Sequence, residues 1–143
     1  MPTRNGSAQW QGDLQNGDGT LRVGARSYEG PYTFKSRFEE GEGTNPEELI
    51  GAAQAACYSM QLSAMLAGDG HTPDSVDTTA KVSLRMVDEV PTITKIELET
   101  EGKVPGIDAA TFDDYAKKAK EACLVTRALA GVNEITLTSK LAS

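Results

Sequence analysis

The chain has 143 residues, enough for one domain with a buried core, and we expect a single domain over residues 1–143. Its formal net charge of −7 argues against nucleic acid and anionic membrane surfaces as partners, because both attract a positive patch. The first six residues contain no apolar run, so we expect no secretory signal and a cytoplasmic protein. In that compartment a lasting structural disulfide is not expected.

The N-terminal part of the chain has the pattern of three strands. Residues 7–11 and 20–23 flank residues 16–19, whose Asn-Gly-Asp-Gly sequence supplies the positive φ angles of a hairpin turn. In residues 32–38 aromatic and polar side chains alternate, which predicts a third strand. That strand would place Arg37 on the face opposite its phenylalanines.

A long uncharged helix is the clearest predicted element. Asn45 suits the N-cap, Pro46 the first helical position and Glu48 the position of a capping-box acid. Glycines at residues 68–70 are predicted to stop the helix. Residues 49–68 contain no charged side chain, but Gln and Ser interrupt the run and disfavour a membrane span. Small and apolar side chains on nearly all sides predict a central helix that another backbone can approach closely.

The rest of the chain predicts two strands, a helix and a last strand. Residues 81–86 and 94–100 alternate apolar and polar side chains, as in a hairpin. Residues 109–123 have helical spacing that turns Cys123 inward, and residues 134–141 alternate again. The order β-β-β-α-β-β-α-β predicts an α+β fold, with a mostly antiparallel sheet packed on the central helix that carries Cys57.

The sequence offers little for a metal or a bound cofactor. His71 is the one histidine, and the two cysteines are far apart, so no metal site is predicted. A Ser-His-Asp or Cys-His system would have to use that same histidine. The glycines of residues 17–19 lie in a hairpin and not between a strand and a helix, so we expect no nucleotide cofactor.

The function of the chain depends on whether its thiols are reactive. Cys57 lies in the uncharged helix, where a thiol is either an inert small hydrophobe or a nucleophile in a dry pocket. Burial disfavours a thiolate, so a nucleophile there needs a nearby cation. Arg37 is a candidate for that cation and Glu47 for its partner. Both also fit ordinary roles, as a solvated charge and as an acid in the first helical turn.

Helix geometry limits how Glu47 can reach Cys57. The two residues are ten positions apart, which in a straight helix separates their Cα atoms by ~15 Å along the axis. They can share a ligand only if the helix breaks or if Glu47 comes from a second subunit. The small residues of the helix make the second alternative plausible.

Residues 44–57 closely resemble the helix motif of the OsmC/Ohr family, the osmotically inducible and organic hydroperoxide resistance proteins. The resemblance includes Trp10, residues 36–38, residues 104–108 and Cys123, and it is closer to the OsmC branch. It implies an intertwined homodimer with two active sites at the subunit interface.

The resemblance also implies the roles of four residues. Cys57 corresponds to the peroxidatic cysteine and Cys123 to the resolving one, while Arg37 activates the thiolate and Glu47 orients Arg37. The implied activity is reduction of organic hydroperoxides to alcohols through a Cys57 sulfenic acid and a Cys57–Cys123 disulfide, in oxidative and osmotic stress defence. The implied reductant is a dithiol, such as a lipoylated protein.

Two residues depart from the family pattern. The family usually has Pro where this chain has Leu124, and Ser where it has Thr126. Pro at that position would bias Cys123 away from helical geometry. Without it, the sequence does not determine the backbone conformation of Cys123. Two other interpretations also remain: a redox sensor, and a stress-related binding protein whose cysteines do not turn over.

Overall fold

The computed structural model describes residues 1–25 and 27–143. The chain divides into two compact units, residues 1–49 and residues 50–143. The single domain over residues 1–143 stays a prediction.

The first unit contains the predicted hairpin and a third strand in one antiparallel sheet. Its strands, in the order β1-β2-β3, are β1 (Gly6–Gln11), β2 (Asp18–Val23) and β3 (Tyr28–Tyr32). The connection between β1 and β2 covers residues 12–17 and is shorter than the predicted strands would leave, since Asp18 already pairs with Gln11. The Asp13 carboxylate shapes this connection by accepting the backbone N–H groups of Gln15 and Asn16.

Residues 32–38 do not form the predicted strand. A short helix, α1 (Phe34–Phe38), follows β3 instead. The Thr33 hydroxyl accepts the N–H of Ser36 at 3.1 Å, and the Ser36 hydroxyl accepts the N–H of Thr33 at 2.8 Å. This capping box starts a helix. Phe34 and Phe38 are four positions apart, so they share one face in a helix as well as in a strand. Their ring centroids are 5.0 Å apart.

The long helix, α2 (Pro46–Gly68), has the predicted bounds. Asn45 caps it, since its Oδ1 accepts the N–H of Glu48 at 2.8 Å. The residues buried along one stripe of α2 are Glu47, Gly51, Gln54, Tyr58, Leu62 and Leu66. The opposite face consists of small and apolar residues that are exposed in the single chain, with Met60 at 75%. Among the described helices, none combines the length and the apolar character needed to cross a membrane.

The second unit contains a three-stranded sheet. In the order β4-β5-β6 the strands are β4 (Ser75–Val87), β5 (Val90–Lys103) and β6 (Glu134–Leu141). The predicted hairpin is present and turns through Asp88 and Glu89, which have positive φ angles. β6 pairs in parallel with β5, and the other three described pairings are antiparallel. The strand pairings are therefore mostly antiparallel, as predicted, but the described strands form two separate three-stranded sheets and not the single predicted sheet.

The connection from β5 to β6 contains α3 (Ala109–Ala122) and α4 (Leu124–Ala128), as a parallel pairing needs a crossover. The core of the second unit joins α2, β5 and α3 in one cluster of buried residues. They are Tyr58, Leu62, Leu66, Leu98, Val104, Phe112, Ala119 and Cys123. Gly102 lets α3 approach the sheet, since a Cβ there would lie 2.5 Å from the Phe112 ring. The α+β fold, with the Cys57 helix packed on a sheet, is confirmed.

Candidate functional site

Arg37 and Glu47, the predicted activating pair, lie together in the first unit. The Arg37 guanidinium donates to the Glu47 carboxylate through Nη2 at 2.8 Å and through Nε at 3.1 and 3.3 Å. The Glu47 side chain is only 10% exposed, whereas that of Arg37 is 39% exposed. The buried carboxylate therefore orients the more exposed cation, which also lies 5.2 Å from the Phe38 ring centroid.

Local hydrogen bonds hold this pair in place. The Asn45 side chain donates to the Ser36 carbonyl at 2.8 Å, and the Ser36 hydroxyl lies 2.8 Å from the Thr44 carbonyl. These bonds join the end of α1 to the start of α2, which carry Arg37 and Glu47. The sequence identified Asn45 only as a helix cap, and its second role in fixing the pair was missed.

An apolar groove of about 410 Å³ lies in the same unit. Its lining includes Ala8, Leu21, Val23, Tyr32, Pro46 and Leu49. The last two come from the first turn of α2, on either side of Glu47 in the sequence. The groove has the size and character of a site for a small apolar group.

The two cysteines lie in the core of the second unit as free thiols. Cys57 is half-buried and packs against the cluster that contains the fully buried Cys123. The predicted helix over residues 109–123 ends one residue earlier, at Ala122. Cys123 has extended backbone angles, φ −61° and ψ 124°, and stands between α3 and α4. The geometry that a following proline favours is therefore present with Leu124 in its place.

The environment of Cys123 favours its thiolate. Burial raises the pKa of Cys123, but hydrogen bonds from the side chain and backbone of Thr126, from the Cys57 thiol and from the Val125 backbone outweigh burial. The net pKa is lowered from its ordinary value. Cys123 is thus more nucleophilic near neutral pH than its burial alone would allow.

Gln54 is a polar residue in the buried stripe of α2, and sequence reasoning missed it as part of the site. Its Nε2 donates to the Thr126 hydroxyl at 3.1 Å. Its Oε1 is buried without a hydrogen-bond partner among the described residues. An unpaired buried acceptor costs roughly 1–3 kcal/mol. The sequence did contain a signal, since Gln54 is an amide three positions before Cys57 and the other residues from 49 to 57 are small or apolar.

Within residues 1–25 and 27–143, no group of three or more His, Cys, Asp or Glu side chains could hold a metal ion. His71 is half-buried, with its ring 6.3 Å from that of Tyr115.

Comparison with known proteins gives the family. The profile of the OsmC-like protein family matches residues 39–138. This chain belongs to that family. The OsmC-like chain is 53% identical over 142 residues to the Escherichia coli (strain K12) protein named peroxiredoxin OsmC, covering 98% of this chain and 97% of that protein.

More distant relatives agree with this membership. The OsmC-like chain is 33% identical over 99 residues to the organic hydroperoxide resistance protein of Xanthomonas axonopodis pv. citri (strain 306), covering 68% of each. It also superimposes on the organic hydroperoxide resistance protein OhrB of Bacillus subtilis with a TM-score of 0.72. That structure is 20% identical and covers 96% of this chain and 98% of its own, so it shows the shared fold alone.

Proposed function

We propose that this OsmC-like protein is a cytoplasmic thiol peroxidase that reduces organic hydroperoxides to alcohols in oxidative and osmotic stress defence. The observation that carries the proposal is the packing of two free thiols, Cys57 and Cys123, against one core cluster. The name of the Escherichia coli relative, peroxiredoxin OsmC, supports a peroxidase, and that of the Xanthomonas relative supports organic hydroperoxides as substrates.

The reaction begins at Cys57. Its thiolate attacks the distal oxygen of the hydroperoxide, so that an S–O bond forms and the O–O bond breaks. The alkoxide takes a proton and leaves as the alcohol, and Cys57 becomes a sulfenic acid. Cys123 condenses with that sulfenic acid to give a disulfide, and a dithiol, such as a lipoylated protein, restores both thiols.

Arg37 favours the thiolate at Cys57 by its positive charge, and Glu47 holds the guanidinium in place. Helix α2 is continuous, so helix geometry separates Glu47 and Cys57 of one chain by ~15 Å along the axis. We therefore assign the Arg37–Glu47 pair to the Cys57 of a second subunit, with two active sites at the interface of a homodimer. The exposed small and apolar face of α2 supports such a contact.

The apolar groove of the first unit supports an organic substrate. Burying an alkyl chain there would lower its free energy by ~25 cal/mol for each Å² removed from water. Hydrogen peroxide has no such surface, so this term favours alkyl and fatty-acid hydroperoxides.

Steady-state turnover of cumene hydroperoxide with dihydrolipoamide tests the proposal. The wild-type protein is expected to turn over, and Cys57→Ser to lose turnover. Ser63→Ala, on the same helix, is the matched control and is expected to keep it. Wild-type turnover in Cys57→Ser would overturn the mechanism.

Thiol titration distinguishes a peroxidase from the two other interpretations, a redox sensor and a stress-related binding protein. Oxidation of both thiols by one equivalent of hydroperoxide, without recycling by any dithiol, would indicate a sensor. Thiols that ignore the hydroperoxide would indicate packing residues and a binding protein.

A further inference from the structure

The two thiols of the second unit differ in their access to solvent. Cys123 has 0% of its surface exposed and is a member of the buried core cluster. Cys57 is half-buried and packs against that cluster without being one of its fully buried members. Solvent therefore reaches Cys57, whereas core residues enclose Cys123.

The position of Cys57 on α2 explains its partial exposure. Three residues on one side of it around the helix, Ala53, Ala56 and Met60, are exposed in the single chain. On its other side lie Gln54 and Tyr58 of the buried stripe. Cys57 thus stands at the boundary between the buried and the exposed face of α2.

This difference in access bears on how a disulfide between the two sulfurs is reduced. In thiol–disulfide exchange a thiolate attacks one sulfur from the side opposite to the sulfur that leaves, so access to that side selects the target. For attack at Cys57 that side faces away from the core cluster. For attack at Cys123 the incoming thiolate would have to occupy the core, where the packed residues leave it no room.

We propose that the reducing dithiol attacks the Cys57 sulfur of the disulfide and that Cys123 is the leaving thiol. The inference rests on the proposed function, in which a Cys57–Cys123 disulfide forms and a dithiol restores it. It assigns to Cys57 the contact with both reactants, the hydroperoxide and the reductant, while Cys123 reacts only with Cys57.

The exchange takes two steps. A thiolate of the dithiol forms an S–S bond with Cys57, the Cys57–Cys123 bond breaks, and its electron pair leaves with Cys123 as a thiolate. The second thiolate of the reductant then attacks the reductant sulfur of this mixed disulfide, which releases Cys57 as a thiolate. The reductant ends as a cyclic disulfide, so it is oxidised and both cysteines are reduced. The lowered pKa of Cys123 supports this direction, because a thiol of lower pKa leaves faster.

The first test maps the mixed disulfide in the wild-type protein. Diamide, a thiol oxidant, makes the disulfide without hydroperoxide, and a limiting amount of 2-mercaptoethanol then opens it. This monothiol has no second thiol with which to release itself, so acid quench and peptide mass spectrometry locate the adduct. We expect the adduct on Cys57 and a free thiol on Cys123. An adduct on Cys123 with a free Cys57 would overturn the inference.

The second test measures access to each thiol without any disulfide. Cys123→Ser leaves only Cys57 and Cys57→Ser leaves only Cys123, and iodoacetamide alkylation is followed over a range of pH to compare the limiting thiolate rates. We expect Cys57 to react at least about tenfold faster, because the buried thiol reacts only after a local opening. In urea the two rates should become similar. Equal rates in the folded proteins would contradict the difference in access.

Leu124→Ala tests the surface beside the other thiol. Leu124 is 68% exposed and directly follows Cys123, so truncating it would uncover Cys123 before Cys57. We expect dihydrolipoamide to reduce the disulfide of this variant at the wild-type rate. A faster reduction would assign the attack to Cys123.

The proposed function and this inference fail in different experiments. A wild-type protein that does not consume cumene hydroperoxide would refute the proposed function. The disulfide made with diamide still shows which sulfur the thiol attacks, since that experiment needs no hydroperoxide.

Discussion

The Arg37 guanidinium and the Glu47 carboxylate form one ion pair through three N···O contacts of 2.8 to 3.3 Å. One partner is buried and the other is partly exposed, so the pair presents a fixed cation at the surface of the first unit. This arrangement suits a group that must stabilise an anion on another molecule or subunit.

Glu47→Gln is expected to lower kcat/KM for cumene hydroperoxide about tenfold, because a neutral amide orients the guanidinium less strongly than a carboxylate. Glu48→Gln is the control, since Glu48 is an exposed acid in the same helical turn. Steady-state kinetics of both variants check this expectation. Equal losses in both would assign the effect to acidic charge at the helix start and not to the ion pair.

Cys123→Ser is expected to reduce about one equivalent of hydroperoxide and then to stall, because the Cys57 sulfenic acid has no resolving thiol. Mass spectrometry should show sulfinic acid on Cys57 as the hydroperoxide is increased. Failure to reduce even the first equivalent would show that Cys123 takes part before resolution.

Leu124→Pro is expected to keep activity and to raise the free energy of unfolding by about 0.4–1 kcal/mol, because Pro restricts the unfolded chain. Cys123 already has the extended backbone that precedes a proline, and Leu124 is the first residue of α4, where Pro is favoured. Urea denaturation beside a Leu124→Ala control measures the change. A loss of stability specific to the proline would contradict the extended backbone of Cys123.

Tyr58→Phe is expected to reduce the sensitivity of the protein to alkali. Burial, and then the charges of Asp113 and Cys123, raise the pKa of Tyr58 above its ordinary value of 10.0. The buried phenol therefore contributes stability below pH ~10, and this is lost as pH rises and the unfolded phenol ionises.

At pH 7 the same substitution should cost about 1 kcal/mol, because the hydroxyl donates to the Ala116 carbonyl at 3.0 Å. Thermal melts between pH 7 and 11 measure both effects. The exposed Tyr28, changed to Phe, is the control. An equal decrease in alkaline sensitivity in both variants would contradict the assignment to Tyr58.

Elements specified by local signals were predictable from the sequence. Asn45 and Pro46 gave the start of α2, and the alternation of residues 134–141 gave β6 with its observed bounds. α1 was missed because the spacing of its phenylalanines fits the period of a helix as well as that of a strand. A capping box at its start stabilises the helix. The parallel pairing of β6 with β5 depends on the crossover between them, which strand patterns do not encode.

The candidate site also contains residues that local signals identify and residues that depend on contacts between distant segments. The residue types and the family motif predicted Cys57, Cys123, Arg37 and Glu47 as site residues, and their roles stay predictions. Contacts between distant segments were not predictable, because a single sequence does not pair residues such as Gln54 and Thr126, which are 72 positions apart. The unpaired buried oxygen of Gln54 shows its importance only after folding.

A bond between the two sulfurs would require the backbone to move. The positions of the two thiols in their elements decide that Cys123 moves more than Cys57. Cys57 lies in the middle of a 23-residue helix, where moving the backbone would disrupt hydrogen bonds on both sides. Cys123 lies at the junction of α3 with the 5-residue α4, which can open locally at a lower free energy. Amide hydrogen exchange should therefore be faster around α4 than around Cys57, and the redox state should change the protection of α4 more.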